Sequence, residues 1–300
     1  SILDAVKKEG LDSIMLSDRP LAAQIGGEVF NLRFTPKKDT QIHLLRYGED
    51  MGRRVYERTL QFLFILAMRK EFPRARVCVR YSLGPGLFIT VDGMEEPFNE
   101  EAALKVETEM RRLVRLKLPL ERRRISIKEA LSFYEQDGQA DKAKLLKWRR
   151  FSYFDVYQID GYMDYFYGEM APDTSYADVF RVKYVHDGAV VLLMPRSDAP
   201  DVPSDYVDLP KLHAVFHQSD EWGKLMECAT VNDLNTHIQN GTIRELVRIN
   251  EALHDRGYAD IADKIVQKGA KAVLVAGPSS SGKTTSAHRI STQLRLQGCH

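Results

Sequence analysis

Apolar residues recur along this chain with two periods, which predict helices and strands. A helical period predicts a short helix that ends at Gly10 and a long buried helix from Gly52 to Phe72, closed by Pro73. Asn99 precedes a further helical stretch. The same period dominates the last third of the chain, in "LPKLHAVFHQSDEWGKLMEC", "VNDLNTHIQNG" and "IRELVRINEALHDRGYADIADKIVQKG".

Alternation of apolar and polar residues predicts strands in three places. Residues 21–47 alternate around Gly26-Gly27, and residues 76–92 predict a hairpin that turns at Gly84-Pro85-Gly86. Residues 151–194 are rich in aromatic and β-branched side chains, for which an antiparallel sheet is the most economical arrangement. We therefore expect an α+β fold.

The chain changes composition between Pro195 and Pro210, where four prolines stand among aspartates and serines. Such a composition is typical of a linker, so we expect a domain boundary there. The helical stretches that follow predict a connector over residues 211–270. The remaining residues, 271–300, begin with an apolar run at Ala272–Ala276 that predicts a strand.

The charge balance and the cysteine content argue against several classes of protein. Lys and Arg total 43 and Asp and Glu 42, so the net charge of +1 gives no general attraction to nucleic acid or acidic membranes. Cys78, Cys228 and Cys299 form no C-x-x-C pair, which argues against disulfides and a cysteine-rich zinc site. The chain has no apolar run of the roughly 18 residues that a membrane span needs. We expect a cytoplasmic protein without membrane partners.

One motif carries specific chemistry. The sequence "GPSSSGKT" fits G-x-x-x-x-G-K-[ST], between a predicted strand and a predicted helix, "TTSAHRISTQLRL". In such a loop the backbone N–H groups and the helix N-terminus face a phosphate, and the lysine reaches the β and γ phosphates. We predict that Lys283 binds ATP and that Thr284 binds Mg²⁺. The predicted cofactor-binding residues are Gly277, Pro278, Ser279, Ser280, Ser281, Gly282, Lys283, Thr284 and Thr285.

A phosphoryl-transfer site built on this motif requires parts that this sequence does not contain. Phosphoryl transfer also requires an acidic residue for magnesium, a parallel sheet and an acceptor pocket, and the sequence ends at His300. We therefore expect a fragment of a longer protein that is inactive alone, with the acceptor-activating aspartate beyond His300. The alternative is that the loop is an idle remnant.

Two parts of the chain resemble a kinase family. Residues 273–298 resemble the first strand, phosphate loop and helix of the uridine kinase and phosphoribulokinase family. Residues 231–269 resemble the connector of bacterial nucleoside kinases that carry a synthetase-like front half. The resemblance implies ATP-dependent phosphoryl transfer to a nucleoside. Ser280 stands where uridine kinases commonly have glycine, which leaves the choice of nucleoside open.

The front of the chain resembles threonyl-tRNA synthetase. Residues 21–59 look like the end of its TGS domain and the beginning of its editing domain, and residues 103–135 and 162–185 look like later parts of the editing domain. The resemblance implies an editing-like α+β domain with an antiparallel sheet, followed by a helical connector and the first strand, loop and helix of a P-loop kinase domain. The implied divisions are a partial TGS-like unit (1–48), an editing-like domain (49–195), a linker (196–210), a connector (211–270) and the start of a kinase domain (271–300).

The editing-like domain departs from its family at the reactive positions. Editing domains of this type carry a His-x-x-x-His pair on the long helix and a Cys-x-x-x-His pair near later strands. The matching positions are Arg58, Phe62, Phe166 and Met170. Arginine stays protonated, phenylalanine offers no lone pair and methionine is a weak zinc ligand. We therefore expect no hydrolysis of aminoacyl esters and a fold that serves as a binding surface or a sensor.

Three further features have a functional and a structural interpretation, and we favour the structural one for each. His213 and His217 could bind a metal or lie on a helix surface. A basic run could follow an RNA backbone or form a solvated face. It comprises Arg111, Arg112, Arg115, Lys117, Arg122, Arg123 and Arg124. An aromatic cluster could stack nucleobases or fill a core. It comprises Tyr153, Phe154, Tyr157, Tyr162, Tyr165, Phe166 and Tyr167.

Three functions follow from these observations. The first is a nucleoside (uridine) kinase, in which the parent protein binds a nucleotide and a nucleoside substrate. The second is an RNA, tRNA or amino-acid binding module related to synthetase editing domains, without editing activity. The third is a GTPase switch, which the kinase-like helix after the loop disfavours.

Overall fold

The structure is a computed structural model that describes residues 1–84, 86–186 and 188–299. The chain divides into two units. The first unit holds residues 1–133 and 151–210, and the second holds residues 134–150 and those from 211 onwards. The helices are α1 (Ile2–Lys8), α2 (Asp50–Glu71), α3 (Glu100–Leu116), α4 (Ile127–Gln136), α5 (Ala140–Leu146), α6 (Pro210–Leu225), α7 (Val231–Gln239), α8 (Ile243–Gln267) and α9 (Lys283–Leu296).

Strands occur in the first unit, in antiparallel sheets. They are β1 (Ala22–Ile25), β2 (Glu28–Phe30), β3 (His43–Leu45), β4 (Arg76–Leu83), β5 (Gly86–Asp92), β6 (Glu121–Ser126), β7 (Tyr153–Ile159), β8 (Tyr162–Asp164), β9 (Arg181–His186), β10 (Ala189–Leu193), β11 (Pro195–Arg196) and β12 (Ala199–Pro203). The predicted mixed α+β fold with antiparallel sheets is thereby confirmed. The turn predicted at Gly84-Pro85-Gly86 includes Pro85, which lies outside the described residues.

The N-terminal region forms a three-stranded sheet in the order β2-β1-β3. Its strands pair where the sequence alternates around Gly26-Gly27, with Ala23 opposite Phe30. A buried ion pair fixes this region to the rest of the unit, because the Arg19 guanidinium donates to both carboxylate oxygens of Asp178, at 3.0 and 2.9 Å.

The main core lies between helices and a four-stranded sheet in the order β4-β5-β10-β9. Helix α2 packs against α3, and α3 packs against β9. Asn99 caps α3 as the sequence predicts, since its side chain accepts a hydrogen bond from the Ala102 amide at 2.9 Å. Alternate residues of β10, Val190 and Leu192, point into this core.

The opposite face of this sheet is also covered, which corrects the predicted linker at 196–210. Phe88, Val191 and Leu193 form a second apolar cluster, against which Tyr206 and Leu209 pack. Residues 195–203 form the hairpin β11-β12. Pro200 and Pro203 belong to β12, Pro210 begins α6, and Tyr206 and Leu209 cover the sheet, so the segment is folded.

A third sheet, in the order β6-β7-β8, carries the aromatic stretch. Arg123 lies opposite Val156, and Tyr157 lies opposite Asp164. The short loop after β8 then runs to the buried residues Met170 and Ala171. This sheet delivers the segment 165–171 to α2, where the candidate site lies.

The second unit is helical in its described part. Helix α9 packs on α8, and their polar contacts include the Arg289 guanidinium with Asp255 at 2.7 Å and the Tyr258 hydroxyl with Ser286 at 3.2 Å. The sequence predicts a continuous editing-like domain over residues 49–195. In the structure, residues 134–150 of that range belong to the second unit. The cause is side-chain contact: the Trp148 indole donates to the Asn232 side chain at 3.0 Å, and α5 packs on α7.

The strand predicted at Ala272–Ala276 is wrong. These residues lie outside helices and strands, and Leu274 is 96% exposed. A strand forms only beside a hydrogen-bonding partner, and the described part of the chain places no strand next to this run. The helix predicted after the loop is confirmed as α9. Among the described residues, no helix is both long and apolar enough to span a membrane.

Helix α2 can begin only because Gly52 has no side chain. A Cβ at this position would lie 2.0 Å from the backbone oxygen of Arg46. We expect Gly52→Ala to lower the free energy of unfolding of the first unit by about 2 kcal/mol or more, since backbone must move to relieve the overlap. Urea denaturation measures this.

Gly48→Ala is the matched control, because nothing lies within 4 Å of a Cβ at that position. It should change the free energy of unfolding by no more than about 0.5 kcal/mol. Equal effects of the two substitutions would contradict the close approach of Arg46 to α2.

Candidate functional site

The structure brings together the four positions predicted from the resemblance to be the editing positions. Arg58 and Phe62 lie one turn apart on α2, and Phe166 and Met170 belong to the segment after β8. The rings of Phe62 and Phe166 are 5.2 Å apart, measured between centroids. Phe62 and Met170 are fully buried. The arrangement is therefore one site with apolar groups at its base.

Two hydroxyl groups fix the segment that carries Phe166 and Met170. The Thr59 hydroxyl donates to the Val55 carbonyl at 2.8 Å and accepts from the Ala171 amide at 2.9 Å. The Tyr157 hydroxyl accepts from the Met170 amide at 3.2 Å and donates to the Glu169 carboxylate at 3.0 Å. Burial raises the pKa of Tyr157 well above its usual value, so this hydroxyl keeps its proton.

Arg58 is held in place by the same segment. Its Nη1 donates to the Glu169 carbonyl at 2.9 Å. Gly168 leaves room for the guanidinium, because a Cβ there would lie 2.8 Å from Cζ of Arg58, and its φ of +91° also favours glycine. Burial lowers the pKa of Arg58, yet a guanidinium remains charged at physiological pH.

A cleft of about 390 Å³ opens beside these residues. It is lined by Arg54, Glu57, Arg58, Gln61, Phe166 and Tyr167. The Glu57 carboxylate accepts a hydrogen bond from the Gln61 amide at 3.1 Å, and burial raises the pKa of Glu57 above its usual value. Tyr167 is 76% exposed at the rim. The cleft therefore combines positive charge, a carboxylate and aromatic surface.

None of the four predicted editing positions offers a base or a favoured zinc ligand. Arg58 has no lone pair with which to accept a proton, the two phenyl rings have no lone pair to offer, and the Met170 thioether is a weak zinc ligand. Within the described residues, no group of three His, Cys, Asp or Glu side chains is placed to hold a metal ion. What the site offers is charge and apolar contact for binding.

The arginines of the basic run that lie near this site form ion pairs with carboxylates. Arg124 and Arg122 both donate to the Asp155 carboxylate, at 2.8 and 3.0 Å, and Arg122 also pairs with Glu169. The hydrogen bond from Arg124 lowers the pKa of Asp155. These paired charges fit the solvated face better than a track for RNA phosphates.

The same pairing occurs on α3. Arg111 lies 2.7 Å from the Glu107 carboxylate, and Arg112 lies 2.6 Å from that of Glu109. Each pair stands three or four residues apart along one helix, a spacing that stabilises the helix itself.

The aromatic cluster divides between core and surface. Phe154, Tyr157 and Tyr162 are buried, as the core interpretation requires. Tyr153 and Tyr167 are exposed. The Tyr165 ring links the two sets, stacked on Phe154 at 4.4 Å and edge-on to Tyr167 at 4.5 Å between centroids.

The imidazoles of His213 and His217 are neighbours on α6, with ring centroids 6.4 Å apart. Neither is buried, and this helix has no buried residue. The described surroundings add no third metal-binding side chain to the pair.

The phosphate-loop residues form a turn that leads into α9. Gly282 precedes the helix in the left-handed region, with a φ of 78°. Ser280 also has a positive φ, of 60°, a conformation that favours glycine. A Cβ on Gly277 would lie 2.8 Å from the Ser281 hydroxyl. Thr284 and Thr285 are exposed at the start of the helix.

Lys283 points back over this loop. Its Nζ donates to the Pro278 carbonyl at 2.6 Å. The predicted set Gly277, Pro278, Ser279, Ser280, Ser281, Gly282, Lys283, Thr284 and Thr285 is thus contiguous with a helix N-terminus, where an anion is favoured.

Comparison with known proteins relates part of the chain to one class of enzyme. No protein-family model matches the chain. The chain is 27% identical to a threonine–tRNA ligase of Carboxydothermus hydrogenoformans over 175 residues, which make up 56% of this chain and 26% of the ligase. It is 28% identical to that of Acetivibrio thermocellus over 142 residues, 47% of this chain and 22% of the ligase.

A third relative gives the same result. The threonine–tRNA ligase of Clostridium kluyveri is 25% identical over 171 residues, which are 57% of this chain and 27% of the ligase. The chain therefore spans about a quarter of the length of these relatives. The comparisons support a region related to threonyl-tRNA synthetase, in agreement with the resemblance seen in the sequence.

Several residues of the site are absent from the sequence-based prediction. Glu57 and Gln61 line the cleft, and Thr59 and Gly168 shape it. Glu57 and Gln61 stand four residues apart on α2, so helical spacing places them on one face, but it does not place that face beside the predicted site. Gly168 had a weaker signal, a glycine within an aromatic stretch.

Proposed function

We propose that residues 1–210 act as a binding module for RNA, tRNA or an amino acid, built on the synthetase editing fold and without editing activity. The observation that carries the proposal is the assembly of Arg58, Phe62, Phe166 and Met170 in one place, where none of these four side chains is a base or a zinc ligand of the expected kind. The likeness to threonine–tRNA ligases supports it.

The geometry and charge of the cleft favour a binding function. The cleft keeps a charged rim of Arg54, Glu57 and Arg58 above a packed apolar base. A half-buried guanidinium is costly unless it is hydrogen-bonded or meets an anion. Arg58 donates a hydrogen bond to the Glu169 carbonyl, and Gly168 leaves room for the guanidinium, so its other N–H groups can donate to an anionic ligand.

We expect no aminoacyl-tRNA hydrolysis by this chain. Incubation of an aminoacyl-tRNA carrying a labelled amino acid should release the label at the rate of a buffer blank, because the four positions proposed as the editing positions supply neither a base nor a metal ligand for water. Brief treatment with alkali supplies the positive control for release. A rate above the blank that disappears in Arg58→Gln would contradict the proposal.

A second candidate function is ATP-dependent phosphoryl transfer to a nucleoside, of the uridine kinase type, by the whole protein. The motif at 277–284 and the start of α9 at Lys283 favour it. In this proposal the loop amides and Lys283 hold the phosphates of ATP, and the Thr284 hydroxyl holds Mg²⁺. The two proposals are compatible, since the binding module and the loop belong to different units.

The Lys283 contact indicates what nucleotide binding requires. The ammonium donates to the Pro278 carbonyl at 2.6 Å and would have to leave it to bind a phosphate oxygen. Because a phosphate carries full negative charge, it competes favourably with a neutral carbonyl for this cation.

We expect Lys283→Ala to weaken binding of Mg²⁺–ATP to the protein as encoded roughly ten-fold or more, since a charge-assisted hydrogen bond is lost. Isothermal titration calorimetry measures the affinity. Lys271→Ala is the control, because Lys271 is exposed and lies before the motif. Equal affinities for the native protein and Lys283→Ala would contradict a phosphate-binding role for this loop.

A further inference from the structure

We propose that the cleft between α2 and the segment after β8 binds a free amino acid with an aromatic or large apolar side chain. In this complex Arg58 binds the α-carboxylate, Glu57 binds the α-ammonium and Tyr167 contacts the side chain. The inference rests on the proposed binding module and names its ligand.

The charges of the cleft favour a zwitterion. Glu57 and Arg58 are consecutive residues of α2, and both line the cleft. A ligand with one negative and one positive group a few bonds apart satisfies both. A nucleotide or RNA phosphate would place its negative charge beside the Glu57 carboxylate, which costs energy in a partly buried site.

Arg58 selects a free carboxylate. Within the described residues, the guanidinium makes one hydrogen bond, to the Glu169 carbonyl, and no ion pair. A guanidinium has five N–H donors in a planar fork that matches a carboxylate. An aminoacyl ester has no free carboxylate, so this site distinguishes a free amino acid from one attached to tRNA.

Glu57 supplies the complementary group. Its carboxylate accepts from Gln61, and the burial that raises its pKa makes an unpaired negative charge unfavourable there. An ammonium group placed beside it would relieve that cost.

The aromatic end of the cleft fits an apolar side chain. Phe166 packs on Phe62 and is half-buried, whereas Tyr167 is exposed at the rim. An aromatic ligand would cover this surface and gain ring contacts. The cleft volume of about 390 Å³ lies within the range of small-molecule sites.

The test is calorimetric titration of residues 1–300 with L-phenylalanine and analogues that each lack one group. We expect L-phenylalaninamide, N-acetyl-L-phenylalanine and glycine each to bind roughly ten-fold or more weakly than L-phenylalanine, since each leaves one partner in the cleft unpaired. An amide that binds as tightly as the free acid would overturn the assignment of Arg58.

Variants supply a second, independent readout. Arg58→Gln and Glu57→Gln should each weaken L-phenylalanine binding by a similar factor. Arg74→Gln should not, because Arg74 does not line this cleft and forms an exposed ion pair with Glu95. Unchanged affinity in Arg58→Gln, or no binding of L-phenylalanine at millimolar concentration, would overturn the proposal.

The outcomes separate this inference from the binding module as a whole. Binding of tRNA or of uridine monophosphate that depends on Arg58, without binding of L-phenylalanine, overturns the amino-acid ligand and leaves a module without hydrolysis. Hydrolysis of aminoacyl-tRNA would instead overturn the module itself.

Discussion

The contact between Thr59 and Ala171 is the constraint on which the site depends. The Thr59 hydroxyl lies on the buried side of α2 and accepts from the Ala171 amide, which ties the segment after β8 to the helix. This bond fixes the path of residues 166–170 across α2. On that path the Phe166 ring contacts the Phe62 ring, and the Glu169 carbonyl accepts a hydrogen bond from Arg58. Without this bond a buried amide would lack its partner, at a cost of about 1–3 kcal/mol.

The residues that position this segment are different from the residues whose side chains face the site. The hydrogen bonds that place the segment come from Thr59 and Tyr157, whereas the side chains that face the site are Arg58, Phe62 and Phe166. The latter set can therefore change without moving the former. A site that catalyses a reaction in one protein can in this way become a binding site in another, on the same fold.

The sequence predicts long helices and their caps well. It predicts poorly the segments whose structure depends on contacts with distant parts of the chain. The period of α2 and the Asn99 cap of α3 are local signals, and the structure agrees with them. The run Ala272–Ala276 has equally apolar residues but needs a neighbouring strand, which no local pattern reports. The prolines of the segment 196–210 predict a linker, whereas the sheet face that Tyr206 and Leu209 cover cannot be seen in the sequence. Within the site, the four editing positions follow from the family resemblance, but the cleft depends on Gly168 and Glu57, whose roles appear only in three dimensions.

The most direct test of this account is native-state hydrogen exchange at the Ala171 amide, followed by nuclear magnetic resonance. If Thr59 fixes the segment, this amide exchanges as slowly as the amides of α2, and Thr59→Val speeds its exchange while the α2 amides remain protected. An Ala171 amide that exchanges in the native protein as fast as an exposed loop amide would contradict the account, because the segment would then not be held against Arg58 and Phe62.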